Sequence, residues 1–460
     1  MGVKLHELHF PNAPNILVEP PGPNAKRLLD KQKEIETKAV LYPLAIPLVP
    51  EEARGATLKD VDGNTYIDLF SGVGVVNVGH CNAIVLETVK MQLEKLVHAL
   101  DFPTTVRLDL VEKLIEIAPG ELKGNSKVWF GSPSGADAVE AAVKLAKYNT
   151  KRRIILAFEG GYHGQTAMAL AVTSAKKFKK DFVPLTPEVH FLPYAYCYRC
   201  AFGLKYPSCG LQCVEYVKHV LDDPYSGVTE PAAIIVEPVQ GEGGVITPPN
   251  EFLSKLRKVC HEYSVLLIVD EVQAGFGRTG KMFACEHSNI APDIITLAKA
   301  IGGIGLPLSA ILYDKKLDTW EPGAHVGTFR GHVTAMAAGL AAINFIQENN
   351  LLDHVNKVGE RMLRRLRELE GESKYIGEVR GKGLMIGIEF VKNKETKEPW
   401  KEIVDEIQKR CFKHGVLIWK AGHYSNIIRF LPPLVITEEL ADKAIEVFTN
   451  VVKEVERDFV

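Results

Sequence analysis

The 460 residues are 46% hydrophobic and 24% charged with a formal net charge of −2, the balance of an ordinary globular chain long enough for one large and one smaller domain. Near-neutral charge without a long basic block excludes nucleic acid or an anionic membrane surface as the expected partner. No apolar run approaches the length that crosses a bilayer, and the start, Met1 to His6, lacks a signal-peptide core, so the expected location is the cytoplasm.

Eight prolines between Pro11 and Pro50 predict a mostly extended N-terminal arm around one short helix near Ala25 to Thr37. Thr57 to Leu69 alternates apolar and polar residues about Asp62-Gly63, a hairpin signature. The small residues of Ser71 to His80 permit close approach of a ligand or of another backbone. Lys127 to Phe130 is a short strand, and Gly131-Ser132-Pro133-Ser134-Gly135-Ala136-Asp137 leads into a helix over Ala138 to Tyr148. A Gly/Ser loop opening a helix offers free amides and the positive end of the helix dipole to a phosphate, although α/β proteins without such a ligand share the pattern.

Ile154 to Phe158 is a buried strand that ends in Glu159-Gly160-Gly161-Tyr162-His163-Gly164-Gln165, where a tyrosine between glycines can lie flat on a ligand ring or simply pack. Further on, Cys197-x-x-Cys200, Cys209 and Cys213 have a spacing open to three outcomes: a tetrahedral metal, two disulfides or free thiols. Cys81, Cys260, Cys285 and Cys411 are scattered and read as core residues or free thiols. No catalytic or metal-ligand role is assigned to any cysteine.

Ala232 to Val236 and Val265 to Val269 are unbroken apolar runs ended by acids, Glu237 and Asp270. Such runs are strands buried on both faces, and their carboxyl ends form the edge where open α/β sheets place ligands. A third run, Ile294 to Ala298, delivers Lys299 and the loop Ile301-Gly302-Gly303-Ile304-Gly305. An aspartate and a lysine at the ends of two buried strands can form a plain ion pair. They also suit pyridoxal 5'-phosphate, which needs a lysine amine for its Schiff base and an anion to keep its pyridine nitrogen protonated.

Leu308 to Tyr313 is a further strand, and Gly327 to His332 is a turn before the helix Ala335 to Glu348. The remainder reads as an α+β unit: helix Leu351 to Glu370, strand Leu384 to Phe390, helix Trp400 to His414, strand Val416 to Trp419 and helix Glu438 to Glu456. Arg380-Gly381-Lys382-Gly383 is a glycine turn whose basic residues could attract an anion or shape the start of the next strand.

Three blocks stand in family order: Val236-Glu237-Pro238-Val239-Gln240-Gly241-Glu242-Gly243-Gly244, Asp270-Glu271-Val272-Gln273-Ala274-Gly275-Phe276-Gly277-Arg278-Thr279-Gly280, and the Lys299 segment. Together they resemble the class III (subgroup II) pyridoxal-phosphate aminotransferases, and the resemblance runs from about Ala56 to the C-terminus. It implies an α/β protein of fold type I, the aspartate-aminotransferase type. Residues 1–60 would form an N-terminal arm and the start of a small domain, residues 61–332 a large cofactor-binding domain with a mainly parallel sheet, and residues 333–460 a smaller C-terminal α+β domain. The cofactor site would lie at a homodimer interface.

Carried over residue by residue, the resemblance makes Lys299 and Asp270 catalytic. Ser134, Gly135 and Ala136 match the phosphate-binding stretch, Tyr162 the stacking aromatic and Gln273 the partner of the ring's phenolic oxygen. Thr328 matches the threonine that reaches the neighbouring subunit's cofactor, and His163 and Glu237 complete the cofactor set. On the substrate side stand Val73, in the segment that walls the pocket, and Glu242, which pairs with the carboxylate-binding Arg429. Gln165 departs from the pattern: members acting on 4-aminobutyrate, ornithine or glutamate usually carry Arg there, and a glutamine cannot hold a second carboxylate as a bidentate pair. The expected reaction moves an amino group between an amino acid, or ω-amino acid, and a 2-oxo acid. An amino-acid racemase or epimerase would use the same residues, and Gln165 favours it. A non-catalytic pyridoxal-phosphate- or metal-binding regulator is a third reading, opposed by the complete Asp270, Gln273 and Lys299 set.

Overall fold

The strands form in chain order as β1 (Pro50–Arg54), β2 (Thr57–Asp60), β3 (Thr65–Asp68), β4 (Ser126–Phe130), β5 (Ile154–Phe158), β6 (Val189–Leu192), β7 (Pro231–Val236), β8 (Leu266–Asp270), β9 (Ile294–Leu297), β10 (Ala310–Asp314), β11 (Ile376–Lys382), β12 (Met385–Phe390), β13 (Val416–Leu417), β14 (Trp419–Ala421) and β15 (Ile427–Phe430). The structure is a computed structural model that describes residues 4–186 and 188–459. Met1, Gly2 and Val3 of the N-terminal arm, and Val460 at the end of the expected small domain, lie outside the described residues.

Seven strands make the large sheet in the order β4-β10-β9-β8-β7-β5-β6. All neighbouring pairs from β9 to β6 are parallel, and β10 alone runs antiparallel to both of its neighbours. Successive side chains of a strand point to opposite faces, and here each face has its own core. Ile155, Ala157, Ala233, Ile235, Ile268 and Ile294 pack with the helix Gly135–Thr150, whereas Ile154, Leu156, Ile234, Val236, Leu267, Val269 and Leu297 belong to the second core. That second core includes the helix Val333–Glu348. Burial on both sides is why these strands read as unbroken apolar runs, and each fully buried Ile, Val or Leu contributes about 1.5–3 kcal/mol.

The C-terminal helices Leu351–Glu372, Lys401–Lys413 and Glu438–Asp458 pack beside a four-stranded antiparallel sheet, β11-β12-β15-β14. A third sheet, β1-β2-β3-β13, joins the N-terminal hairpin to the C-terminal part. One expectation is corrected here. The strand expected over Val416 to Trp419 is two strands in two sheets, because β13 pairs with β3 and β14 pairs with β15. The break at Ile418 is tolerated because the Gln408 amide donates to its carbonyl (2.9 Å). The strands of the β2–β3 hairpin pair in register, and the Asp60 carboxylate accepts from the amides of Asp62 and Asn64 (2.9 Å each). Among the described residues no helix is long and apolar enough to cross a membrane.

Candidate active site

Because the strands from β9 to β6 run the same way, their carboxyl ends share one edge of the sheet, and β10 returns to that edge at its start. The loops there surround a cavity of about 630 Å³. β4 delivers Ser134, Gly135 and Ala136, β5 delivers Tyr162, His163 and Gln165, and β7 delivers Glu237 and Glu242. β8 ends in Asp270 and leads to Gln273, and β9 leads to Lys299. Every expected site residue except Val73, Thr328 and Arg429 lines this cavity.

Asp270 is buried and Lys299 half-buried where they line the cavity. The His163 ring lies against Asp270 (Nδ1 to Oδ2, 2.6 Å), and the Val272 amide donates to the other carboxylate oxygen (3.1 Å). Burial disfavours protonated His163, but the hydrogen bond and charge of Asp270 outweigh it and raise the imidazole's pKa. His163 thus sets the orientation of the aspartate. Lys299 adopts a left-handed backbone (φ 51°), a conformation that costs a non-glycine residue about 1–2 kcal/mol. Burial lowers its ammonium to about 8, with Glu242 and Asp270 pulling upward and Arg429 downward.

Glu237 clamps two loops, accepting from the amides of Tyr162 and Gly241 (2.9 Å each). Its burial pushes the carboxyl up to about 7 against the nearby His163. Gln165 donates to the Tyr162 hydroxyl (3.3 Å). Arg429 stands behind the cavity wall on β15, where Nη1 donates to Glu242 (2.7 Å) and to the Gln273 side-chain oxygen (3.2 Å). Its Nε and Nη2 are buried without a partner among the described residues.

Val73 has φ 63°, strained for a β-branched residue, and is half-buried away from the cavity. Val75 takes the wall position instead, because the left-handed run from Ser71 to Gly74 turns the chain back before it. The glycines flanking Val73 were the available signal. Thr328 lies in a separate hollow of about 490 Å³ with Arg107, Trp129 and Arg330. Asp137 also escaped sequence reading: it accepts from the Ser132 amide (2.6 Å) and from Arg330 Nη2 (2.9 Å), which fixes the loop before Ser134. Glu271, next to Asp270, points the other way and accepts from the amides of Ala284 and Cys285 (3.0 and 2.7 Å). The four clustered cysteines line one small cavity as free thiols, and among the described residues no group of three or more His, Cys, Asp or Glu is arranged to hold a metal.

These residues fit pyridoxal phosphate. The helix Gly135–Thr150 opens on the cavity with the amides of Gly135 and Ala136 unpaired among the described residues, an anion site at a helix start. A buried carboxylate and a half-buried amine of lowered basicity share the same cavity, and Arg429 beside it keeps two donors unpaired among the described residues.

Comparison with known proteins agrees with that chemistry. The family described as aminotransferase class-III matches residues 42–452. A diaminobutyrate–2-oxoglutarate aminotransferase of Rhizobium meliloti is 40% identical over 423 residues, 90% of each chain. An alanine/serine racemase of Pyrococcus horikoshii is 38% identical and covers 96% of this chain and 93% of its own. A thermostable (S)-enantioselective omega-transaminase from Thermomicrobium roseum superposes with a TM-score of 0.86 at 30% identity, covering 94% of this chain and 99% of that one. The chain belongs to the class III aminotransferases and is a pyridoxal-phosphate-dependent aminotransferase of fold type I.

Proposed function

We propose that this enzyme takes the amino group of an amino acid with a single carboxylate, passes it to a 2-oxo acid, and uses Lys299 to move the proton at the substrate's Cα. The observation that carries the reading is the placement of Asp270 and Lys299, each ending its own buried strand, in one cavity backed by the Glu242–Arg429 pair. A diamino acid is the first donor to test, given the relative named for diaminobutyrate.

Pyridoxal phosphate, when bound, supplies an electron-withdrawing ring that makes the substrate's Cα proton acidic. Ser134 and the amides of Gly135 and Ala136 would hold its phosphate, Tyr162 its ring face, Gln273 its phenolic oxygen and Asp270 its ring nitrogen. Asp270 keeps a proton on that nitrogen, and His163 holds the carboxylate in place. Lys299, with a pKa near 8, has a neutral fraction at physiological pH and can take a proton from Cα. Arg429 offers its unpaired donors to the substrate carboxylate. Gln165 supplies no charge for a second carboxylate, which supports a donor with only one.

Where Lys299 returns the proton separates amino transfer from racemisation. Racemisation is the second reading, supported by Gln165 and by the relative named as a racemase. The loaded enzyme, given single L-amino acids without a 2-oxo acid, should release one equivalent of keto acid per site. Accumulation of the D-enantiomer without keto acid would make it a racemase. Lys299→Ala should slow either reaction by at least about 10³-fold, measured in single turnovers. A variant that keeps a tenth of wild-type turnover would sink the role given to Lys299.

The same reading makes the enzyme a cytoplasmic homodimer. Thr328 shares its hollow with Leu100 and Val326, and Phe329 beside it is 65% exposed, an apolar surface suited to a second copy. The eight cysteines are free thiols, as in a reducing compartment.

A further inference from the structure

The loop that carries Glu242 is held from behind by buried charges that do not line the cavity. Arg380, on β11, donates from Nε to the Val245 carbonyl (3.0 Å) and from Nη2 to the Gly244 carbonyl (2.7 Å). Its Nη1 donates to Glu389 (2.8 Å) and Glu378 (2.5 Å). Glu389, on β12, is fully buried and also accepts from Arg199 Nε (2.5 Å) and from the Tyr196 hydroxyl. On its other side the loop is tied by the Gly422 amide, which donates to the Glu242 carbonyl (3.0 Å). Little slack remains at Gly244: its φ is 117°, and a Cβ there would meet Ile427 at 2.2 Å.

The planar fork of Arg380 grips two successive carbonyls and two carboxylates at once, which a lysine's single ammonium cannot reproduce. Such a mounting limits how far the Glu242 backbone can retreat. A substrate carboxylate that takes up the open donors of Arg429 competes with Glu242 for the charge of the same guanidinium. The stiffness of the loop therefore enters the affinity of every carboxylate that binds there.

We propose that Arg380, held in place by Glu389, is a specificity-determining positioning residue: it keeps the Gly241-to-Val245 loop pressed forward so that Glu242 covers Arg429, and so sets how strongly a carboxylate must compete. The proposal rests on the reading of Arg429 as the carboxylate receptor. Tyr196 and Arg199 come from the cysteine-bearing segment, so that segment steadies the brace.

The test measures the dissociation constant of propionate, an unreactive carboxylate, by calorimetry on the loaded enzyme and on Arg380→Lys, Tyr196→Phe and Glu242→Gln. Glu242→Gln removes the competing charge and reports the fully uncovered arginine. Arg380→Lys should bind propionate about fivefold to tenfold more tightly than wild type, as charge-assisted bonds to the loop are lost. Its KM for a monocarboxylate donor should fall in parallel, with kcat within about twofold. Tyr196→Phe, which removes one neutral donor from Glu389, should tighten propionate about twofold and covers the case in which Arg380→Lys does not fold. A purely structural role would lower the melting temperature and leave these constants where they are. If Glu242→Gln tightens propionate while neither brace variant that folds does so, the brace is overturned alone. If no protein in the series, Glu242→Gln included, binds propionate, the receptor reading fails and the proposal falls with it.

Discussion

Arg278 and Arg429 are both essentially fully buried, and the contrast between them separates a structural arginine from a receptor. Arg278 donates to the carbonyls of Leu384 (3.1 Å) and Pro432, to the Asn77 side chain (2.7 Å) and to the Ser71 hydroxyl (3.3 Å). Only its Nε is unpaired among the described residues. Burial pushes its guanidinium down to about 9, with Asp68 pulling it back up. Among the described residues Arg429 spends only Nη1 on the protein and leaves Nε and Nη2 unpaired beside the cavity. Burial alone does not mark a ligand site, whereas donor capacity left open next to a cavity does.

The largest effects come from removing each arginine. Arg278→Leu strands four acceptors contributed by three separate segments and should cost about 3–5 kcal/mol, read as a lowered urea midpoint. Carboxylate affinity in whatever folds should be unchanged. Arg429→Leu should reverse the pattern, lowering carboxylate affinity by about 10- to 100-fold for the lost charged hydrogen bonds. Its folding loss should be smaller, because the Glu242 side chain left behind is 28% exposed. An Arg278→Leu protein that folds normally but binds carboxylates poorly would break the distinction.

The same contrast explains what the sequence could reveal. The large sheet was legible because burial on two faces writes itself as unbroken apolar runs, and Asp270 and Lys299 stand out at the ends of such runs. The helix opening at Gly135 was legible from its small residues. Arg278 lay in a recognised block, yet nothing local shows that its partners are 106 to 207 residues away. In the sequence Arg380 belongs to a glycine turn, and nothing local reveals that the Gly244 and Val245 carbonyls it holds lie 135 residues or more upstream. The division of Val416 to Trp419 between two sheets, and the exchange of Val73 for Val75 at the cavity wall, likewise depend on what the rest of the chain places opposite them.

Lys299 sharpens the comparison from the side of proton affinity. With no carboxylate hydrogen-bonded to it among the described residues and burial acting on its charge, its ammonium is lowered to about 8, so the neutral amine prevails above that pH. Cofactor-free protein should therefore capture pyridoxal phosphate at a rate that rises about tenfold per pH unit below 8 and levels off above it. A lysine at its ordinary pKa would keep accelerating toward about pH 10.4. Stopped-flow absorbance across pH 6.5 to 10 distinguishes the two, within roughly one unit of the expected break. Continued acceleration beyond pH 9.5 would remove the basis for calling Lys299 a base of tuned strength.

Glu237 offers the smallest and most local test, because its carboxyl has both partners satisfied yet sits where charge is disfavoured. Burial raises it from 4.5 to about 7, so the unfolded chain ionises this group well before the folded one does. Its contribution to stability is therefore full below pH 4.5 and is lost as pH rises through 7, by at most about 3 kcal/mol. A glutamine cannot ionise, and its single oxygen can serve only one of the two amides of Tyr162 and Gly241, a cost of about 1–2 kcal/mol at every pH. Urea unfolding should find wild type ahead of Glu237→Gln at pH 5 and find that lead reduced or reversed at pH 7.5. A lead that stays constant across that range would mean that Glu237 remains ionised in the fold, serving as a fixed negative partner to His163 and not as a neutral clamp.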